Sequence, residues 1–247
     1  MYDWRGRIGL ILSSTNTVAE IEIRKMLPEG VETFSARYLK PEYQNEMERD
    51  NFYGDLDKIK LCLIKAAKEI SSIEPDLIVW PCTLGSLLSG EGTDLKLAQM
   101  IKQNTGYEAI TTTTAVIEYI KHLNLKKMIM VTPYPELHTR IEKEYIEKRI
   151  KNLSIDHYYS RSVFEKYNRK QLSPESIYKI IKSLALCHEG YDGLFISCTD
   201  FPSLEIIKYL ENDLNCKVVT SNLATAWFIL QKIKVSDENL LKLVDRT

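Results

Sequence analysis

The feature that most narrows the folds open to this chain is a repeated ending. Asp76-Leu-Ile-Val-Trp-Pro-Cys82-Thr83 and Asp192-Gly-Leu-Phe-Ile-Ser-Cys198-Thr199 each run from an aspartate through a short apolar stretch to a Cys-Thr pair. Apolar runs of this length, bounded by turn residues, read as strands buried on both faces. The surrounding chain repeats as well. Arg7-Ile-Gly-Leu-Ile-Leu12 is answered 120 residues later by Lys127-Met-Ile-Met-Val131, the strand at Val31 by one at Ser154 (123 residues on), and Cys82 by Cys198 (116 on). Each half reads strand, polar turn, helix, strand, loop, helix, strand, Cys-Thr. Strands alternating with helices at this spacing predict parallel βαβ units. The expected fold is therefore α/β, with two pseudo-equivalent lobes, each a parallel sheet flanked by helices, and an active site between them. Residues 1–115 form the expected lobe of Cys82, residues 116–220 that of Cys198, and residues 221–247 a helical segment packing back on both.

The spacing predicts helices over 18–27, 55–72, 93–103, 114–123, 136–151 and 174–187. In the second of these, Leu56, Ile59, Leu63, Ala66, Ala67 and Ile70 share one face. Residues 39–51 are polar, contain Pro41 and lack a period, which predicts a loop or lid. Cys62 and Cys187 fall in predicted helices and read as small core residues. Lys217 to Ser221 reads as a last strand, opening into an apolar helix from Asn222.

A chain of 247 residues with 44% hydrophobic and 27% charged residues is long enough to bury a large core. A net charge of −1 gives no reason to expect nucleic acid or an anionic membrane surface as a partner. No apolar run approaches membrane-spanning length and no secretory leader is recognisable, so a cytoplasmic protein is expected. Five widely spaced cysteines with no CxxC point neither to a disulfide framework nor to zinc. The sequence has no GxGxxG after the first strand and no GxxxxGK[ST], so the usual nucleotide cradles are missing.

In open parallel sheets, ligands lie beyond the carboxyl ends of the strands, where the polar turns of this chain collect. A cysteine placed just before a helix gains from the helix N-terminus, which favours thiolate over thiol; both Cys82 and Cys198 are expected there. Packing alone does not require the same dipeptide at both strand ends, which favours a functional pair. The four histidines lie in or beside predicted helices and a strand, poorly placed to serve as a base. The thiols themselves are then the acid, base or nucleophile. Neutral donors surround them: Asn16, Tyr134, Asn168 and Asn222, with the hydroxyls of Ser14, Thr83 and Thr199. Ser13, Thr17 and Ser221 read as helix caps. Tyr134, between two prolines, is expected at the mouth of the site, and Arg37 either pairs with a carboxylate or lies on the surface. Neutral donors plus backbone N–H groups suit a small carboxylate.

These residues make the chain resemble the maleate cis-trans isomerases of the aspartate/glutamate racemase superfamily, which also holds arylmalonate decarboxylases and hydantoin and amino-acid racemases. The resemblance covers nearly the whole length. It rests on Arg7-Ile-Gly-Leu-Ile with Ser13-Ser-Thr-Asn16-Thr-Val-Ala-Glu20, Cys82-Thr-Leu-Gly-Ser86, Val131-Thr-Pro-Tyr134, Ile196-Ser-Cys198-Thr199, and Leu210-Glu211 followed by Ser221-Asn222-Leu-Ala-Thr-Ala-Trp227. It implies a homodimeric or homotetrameric enzyme that needs no cofactor or metal and acts on a small dicarboxylate. Cys82 would be its nucleophile, Cys198 its acid/base, and Asn16, Tyr134 and Asn168 the carboxylate holders. Both cysteines are kept, whereas the decarboxylases keep only the second. Leu84, where the family often has a small polar residue, and Leu12, where proline is common, depart from the pattern. A two-thiol racemase and a non-catalytic carboxylate-binding protein are the alternatives.

Overall fold

The computed structural model describes residues 2–39, 45, 47–48, 55–164 and 172–236. The expected segment 39–51 falls mostly outside them, and Asn168 lies wholly outside. The first repeat runs β1 (Gly6–Ser13), α1 (Ala19–Met26), β2 (Val31–Tyr38), α2 (Leu56–Ser71), β3 (Leu77–Trp80), α3 (Thr93–Thr105), β4 (Ala109–Thr111) and α4 (Thr112–His122). The second runs β5 (Lys127–Val131), α5 (Glu136–Arg149), β6 (Ser154–Tyr159), α6 (Pro174–Ala185), β7 (Gly193–Ile196), α7 (Ile207–Leu214), β8 (Lys217–Thr220) and α8 (Ser221–Ile233). Among the described residues the sheets have the same order, β2-β1-β3-β4 and β6-β5-β7-β8, with every pairing parallel. The α/β class and the two matching sheets expected from the sequence are what the structure shows.

Alternation along the strands explains how the first sheet is covered. Leu77 and Val79 of β3 join Ile8, Leu10 and Leu12 of β1 in a core continuous with the second lobe. Ile78 and Trp80, pointing the other way, pack with Ile59, Leu63, Leu97 and Ile101 of α2 and α3. Gly9 keeps the second layer close, since a Cβ there would meet Ile70 Cγ1 at 2.7 Å. Helix α8 is buried without a break from Ser221 to Leu230, because it packs on both α4 and α1. A helix apolar on every side is stable only when enclosed in this way.

Thr111 caps α4 by accepting from Thr114 N, and Thr220 caps α8 by accepting from Leu223 N. These caps start both helices earlier than the sequence suggests, and they place Ser221 in the helix rather than at a strand end. Two buried carboxylates tie the lobes together. Glu22 of α1 accepts from Ser203 N (2.6 Å), Leu204 N (2.9 Å) and Asn222 Nδ2 (2.7 Å). Asp94 of α3 accepts from Tyr145 Oη (2.6 Å), Arg149 (2.9 Å) and Thr114 Oγ1 (2.7 Å). Burial pulls the Asp94 carboxyl upward, but the bonds from Tyr145, Arg149 and Thr114 outweigh it and hold the group below the usual range. Among the described residues no helix is long and apolar enough to cross a membrane. Cys187 is not in a helix core: α6 ends at Ala185 and the cysteine is exposed.

Candidate active site

The carboxyl ends of β1, β3, β5 and β7 meet at a cavity of about 130 Å³ lined by Ser13, Thr15, Asn16, Pro81, Cys82, Thr83, Leu84, Tyr134, Cys198, Thr199 and Asp200. An apolar cavity of roughly 150 Å³ accepts benzene, so this volume suits a ligand of a few carbons. Cys82 and Cys198 therefore open on the same small space, one from each lobe, as do Asn16, Thr83, Tyr134 and Thr199.

The expectation that a helix N-terminus stabilises both thiolates is not met. Cys82 enters a three-residue 3-10 turn, Leu84–Ser86, and α3 begins only at Thr93; Cys198 is followed by a turn, a second 3-10 segment and then α7 at Ile207. Burial decides the matter for Cys198. Its thiol is pushed up to about 12, chiefly by desolvation, against the opposing hydrogen bonds from the Tyr134 hydroxyl and Asp200 N–H; the nearby Cys82 sulfur adds to the rise. Cys198 also has φ +95°, which costs a side-chain-bearing residue about 1–3 kcal/mol. Ser221 Oγ holds this backbone by accepting from Cys198 N at 3.0 Å.

Tyr134 is a wall of the cavity, not its mouth. It is buried, and desolvation is the main cause that raises its phenol well above the usual value, with the Cys198 sulfur next to it adding to the rise. The two prolines flank the turn, while the folded chain buries the ring beside Cys198, Ser197 and Glu142.

Asn16, Thr83 and Thr199 have structural duties besides lining the space. Asn16 Oδ1 accepts from Val18 N (3.1 Å) and Ala19 N (3.0 Å), so Asn16, not Thr17, supplies the side-chain oxygen at the entry to α1. Its Nδ2 donates to Thr199 Oγ1 at 3.0 Å, and an amide carries a second hydrogen for a ligand. Thr199 Oγ1 donates to Pro81 O (2.9 Å), and Thr83 Oγ1 bonds Ser221 Oγ (3.0 Å). These bonds cross between the lobes and set the distance between the cysteine loops. Arg37 combines the two expected roles: it is exposed and pairs with the Glu20 carboxylate, and it donates to Asn16 O (2.8 Å), anchoring the β1–α1 loop. Asn222 lies behind the cavity, bound to Glu22 and to Thr199 O.

A family model described as arylmalonate decarboxylase matches residues 8–240. The chain belongs to the arylmalonate decarboxylase family. It is 26% identical over 242 residues to the maleate isomerase of Alcaligenes faecalis (92% of this chain, 90% of that one), and 25% identical over 242 residues to that of Geobacillus stearothermophilus (93% and 92%). A variant of the maleate isomerase Iso from Pseudomonas putida S16, solved with maleate, superposes with a TM-score of 0.77 at 20% identity (93% of this chain, 92% of that one). A variant of the Nocardia farcinica maleate cis-trans isomerase with a covalently bound succinylcysteine intermediate gives 0.78 at 19% identity (93% of each). At this identity the solved structures establish a shared fold.

The structure also brings to the site residues whose local sequence context points elsewhere or is silent. Ser221 reads as a cap, yet its hydroxyl joins Cys198 N to Thr83. Asp200 puts a carboxylate on the wall, where it accepts from Thr17 N at 2.9 Å. Ser86 donates to the carbonyls of Cys82 (2.8 Å) and Thr83 (3.0 Å) and fixes the first loop. The signal for Ser86 was present in the Cys82-Thr-Leu-Gly-Ser86 run, while nothing local distinguishes Ser221 from a cap. Among the described residues no group of three or more His, Cys, Asp or Glu is arranged to hold a metal.

Proposed function

We propose that this protein is a cofactor-independent cis-trans isomerase of a small unsaturated dicarboxylate, of the maleate-to-fumarate type, working in the cytoplasm as a homo-oligomer. One observation carries the reading: two sulfurs share a cavity sized for a four-carbon acid, and one of them is held as a thiol. A general acid has to keep its proton at neutral pH, which burial ensures for Cys198. The Cys82 thiolate adds to one alkene carbon, forming a C–S bond as the π bond opens, and the Cys198 thiol gives its proton to the adjacent carbon. The Cys198 thiolate left behind is hydrogen-bonded by Tyr134 and Asp200 N–H. Rotation about the new single bond brings the carboxylates trans. Cys198 then takes a proton back from its carbon, the double bond re-forms, and the Cys82 thiolate leaves with the C–S electron pair. Asn16, Thr83, Thr199 and Asn168 are assigned to hold the two carboxylates, with the backbone N–H groups around them.

The same two thiols would serve a racemase, but a two-base racemase needs each thiol to act as base for one enantiomer. Here Tyr134 bonds Cys198, which suits unequal roles. Incubating the purified protein with maleate and following fumarate by NMR tests the proposal. Fumarate formation supports it, and turnover of aspartate, glutamate or hydantoin enantiomers with no action on maleate contradicts it.

A further inference from the structure

Behind Cys198 lies a carboxyl that the reaction above does not use. Glu142 of α5 is fully buried; its Oε1 bonds Ser197 Oγ at 2.6 Å, while Oε2 has no hydrogen-bond partner. Among the described residues no lysine or arginine pairs with it. A carboxylate so isolated takes up a proton rather than bear the cost of burying its charge, and burial pushes Glu142 up to about 8.

Ser197 directly precedes Cys198. Its hydroxyl meets the Tyr134 phenol as well as Glu142, and that phenol bonds the Cys198 sulfur. Ser197 has one hydroxyl hydrogen to give. Given to a carboxylate at 142, it is lost to Tyr134. A carboxylic acid at 142 donates to Ser197 Oγ instead, which frees the serine hydrogen for the phenol oxygen and leaves the phenol hydrogen for sulfur.

We propose that Glu142 is a positioning residue: as a buried carboxylic acid it turns the Ser197 and Tyr134 hydroxyls into one donor chain that ends on the Cys198 sulfur. No bond to hydrogen needs to break along the chain. Each donor polarises the next, so the chain acts most strongly at the moment Cys198 becomes a thiolate. The inference rests on the acid/base role given to Cys198 above and extends it by naming what supports that role from behind.

The test uses the full chain with E142Q, E142A, S197A and E142A/S197A. It reads kcat and KM for maleate and, in a Cys82→Ser background, the rate at which iodoacetamide alkylates Cys198. A carboxamide donates to Ser197 as the acid does, so E142Q rescues kcat to within about threefold of the wild type, whereas E142A and S197A each lower kcat about tenfold with KM unmoved. The double variant is no worse than either single one, as expected for links of one chain. Alkylation of Cys198 falls in the same order. S197A changes packing least and decides the case if E142A does not fold. Equal losses in E142Q and E142A that track thermal stability, or alkylation rates that are the same throughout, overturn the proposal. A wild type inactive on maleate whose alkylation rates still follow this order would reject the isomerase reading and leave the donor chain standing.

Discussion

Cys82 leaves β3 through Pro81 and turns into a 3-10 segment whose carbonyls Ser86 ties down, whereas Cys198 leaves β7 through Ser197 into a backbone at φ +95° with Tyr134, Ser197 and Glu142 packed behind it. The repeat puts the two sulfurs in corresponding places, and the neighbours make them unequal. A strand end can specify where a thiol sits, but its protonation is set by what buries it and what can donate to it. Among the residues that line the cavity, no second tyrosine faces the first loop as Tyr134 faces Cys198. The repeated topology thus places two thiols alike, and the proposed reaction needs them unequal.

The comparison can be broken most forcefully at the nucleophile. Cys82→Ser is expected to lower turnover on maleate by about a thousandfold or more, since an alcohol in place of a thiolate removes covalent attack altogether; steady-state assays at saturating maleate check this. Tyr134→Phe should cost about 10- to 100-fold in kcat, the range for losing a hydrogen bond to a charged group, and should leave adduct formation at Cys82 possible. If Tyr134→Phe left kcat untouched, the asymmetry between the loops would have no catalytic meaning. Ser221→Ala removes one hydroxyl from both Cys198 N and Thr83, and should cost about 1 kcal/mol of stability with a several-fold loss of kcat. Chemical denaturation beside the kinetics separates the two effects.

The smallest effect concerns pH. Glu142, usually near 4.5, is pushed up to about 8 in the folded state by burial. The folded protein holds this proton more tightly than the unfolded chain, so the contribution is fully present below about 4.5 and is lost as pH rises towards 8. Burial raises Glu22 as well, despite its bonds from Asn222, Leu204 and Ser203, and the sign is the same. E142Q should flatten the fall in melting temperature between these limits. An unchanged slope would mean that Glu142 is ionised in the native state.

Much of the scaffold is legible in the chain because continuous apolar runs such as Leu77–Trp80 and Gly193–Ile196 have few other places to go than the middle of a parallel sheet. The cysteine loops are legible because the dipeptide recurs. What stays hidden depends on contacts between distant segments. Glu142 stands between Ile141 and Lys143 in a helix rich in charge, and local spacing cannot distinguish it from a solvated position. Ser221 is a cap by every local rule until Thr220 takes that role and frees its hydroxyl for Cys198. The helix starts expected at Cys82 and Cys198 are absent for a related reason: residue order places a helix after each cysteine, but only the fold shows the 3-10 turns in between. Tyr134 reads as a residue at an opening because its prolines describe the turn and say nothing of the burial that the folded chain gives the ring.

The most direct measurement of whether the two sulfurs act on one ligand is mass spectrometry of a Cys198→Ala variant incubated with maleate, followed by peptide mapping. With water supplying the proton that Cys198 is proposed to give and no thiolate at 198 to take it back, the variant should carry the mass of one dicarboxylate on Cys82. An unmodified protein, or an adduct spread over Cys62, Cys187 and Cys216 with Cys82 untouched, would contradict the account.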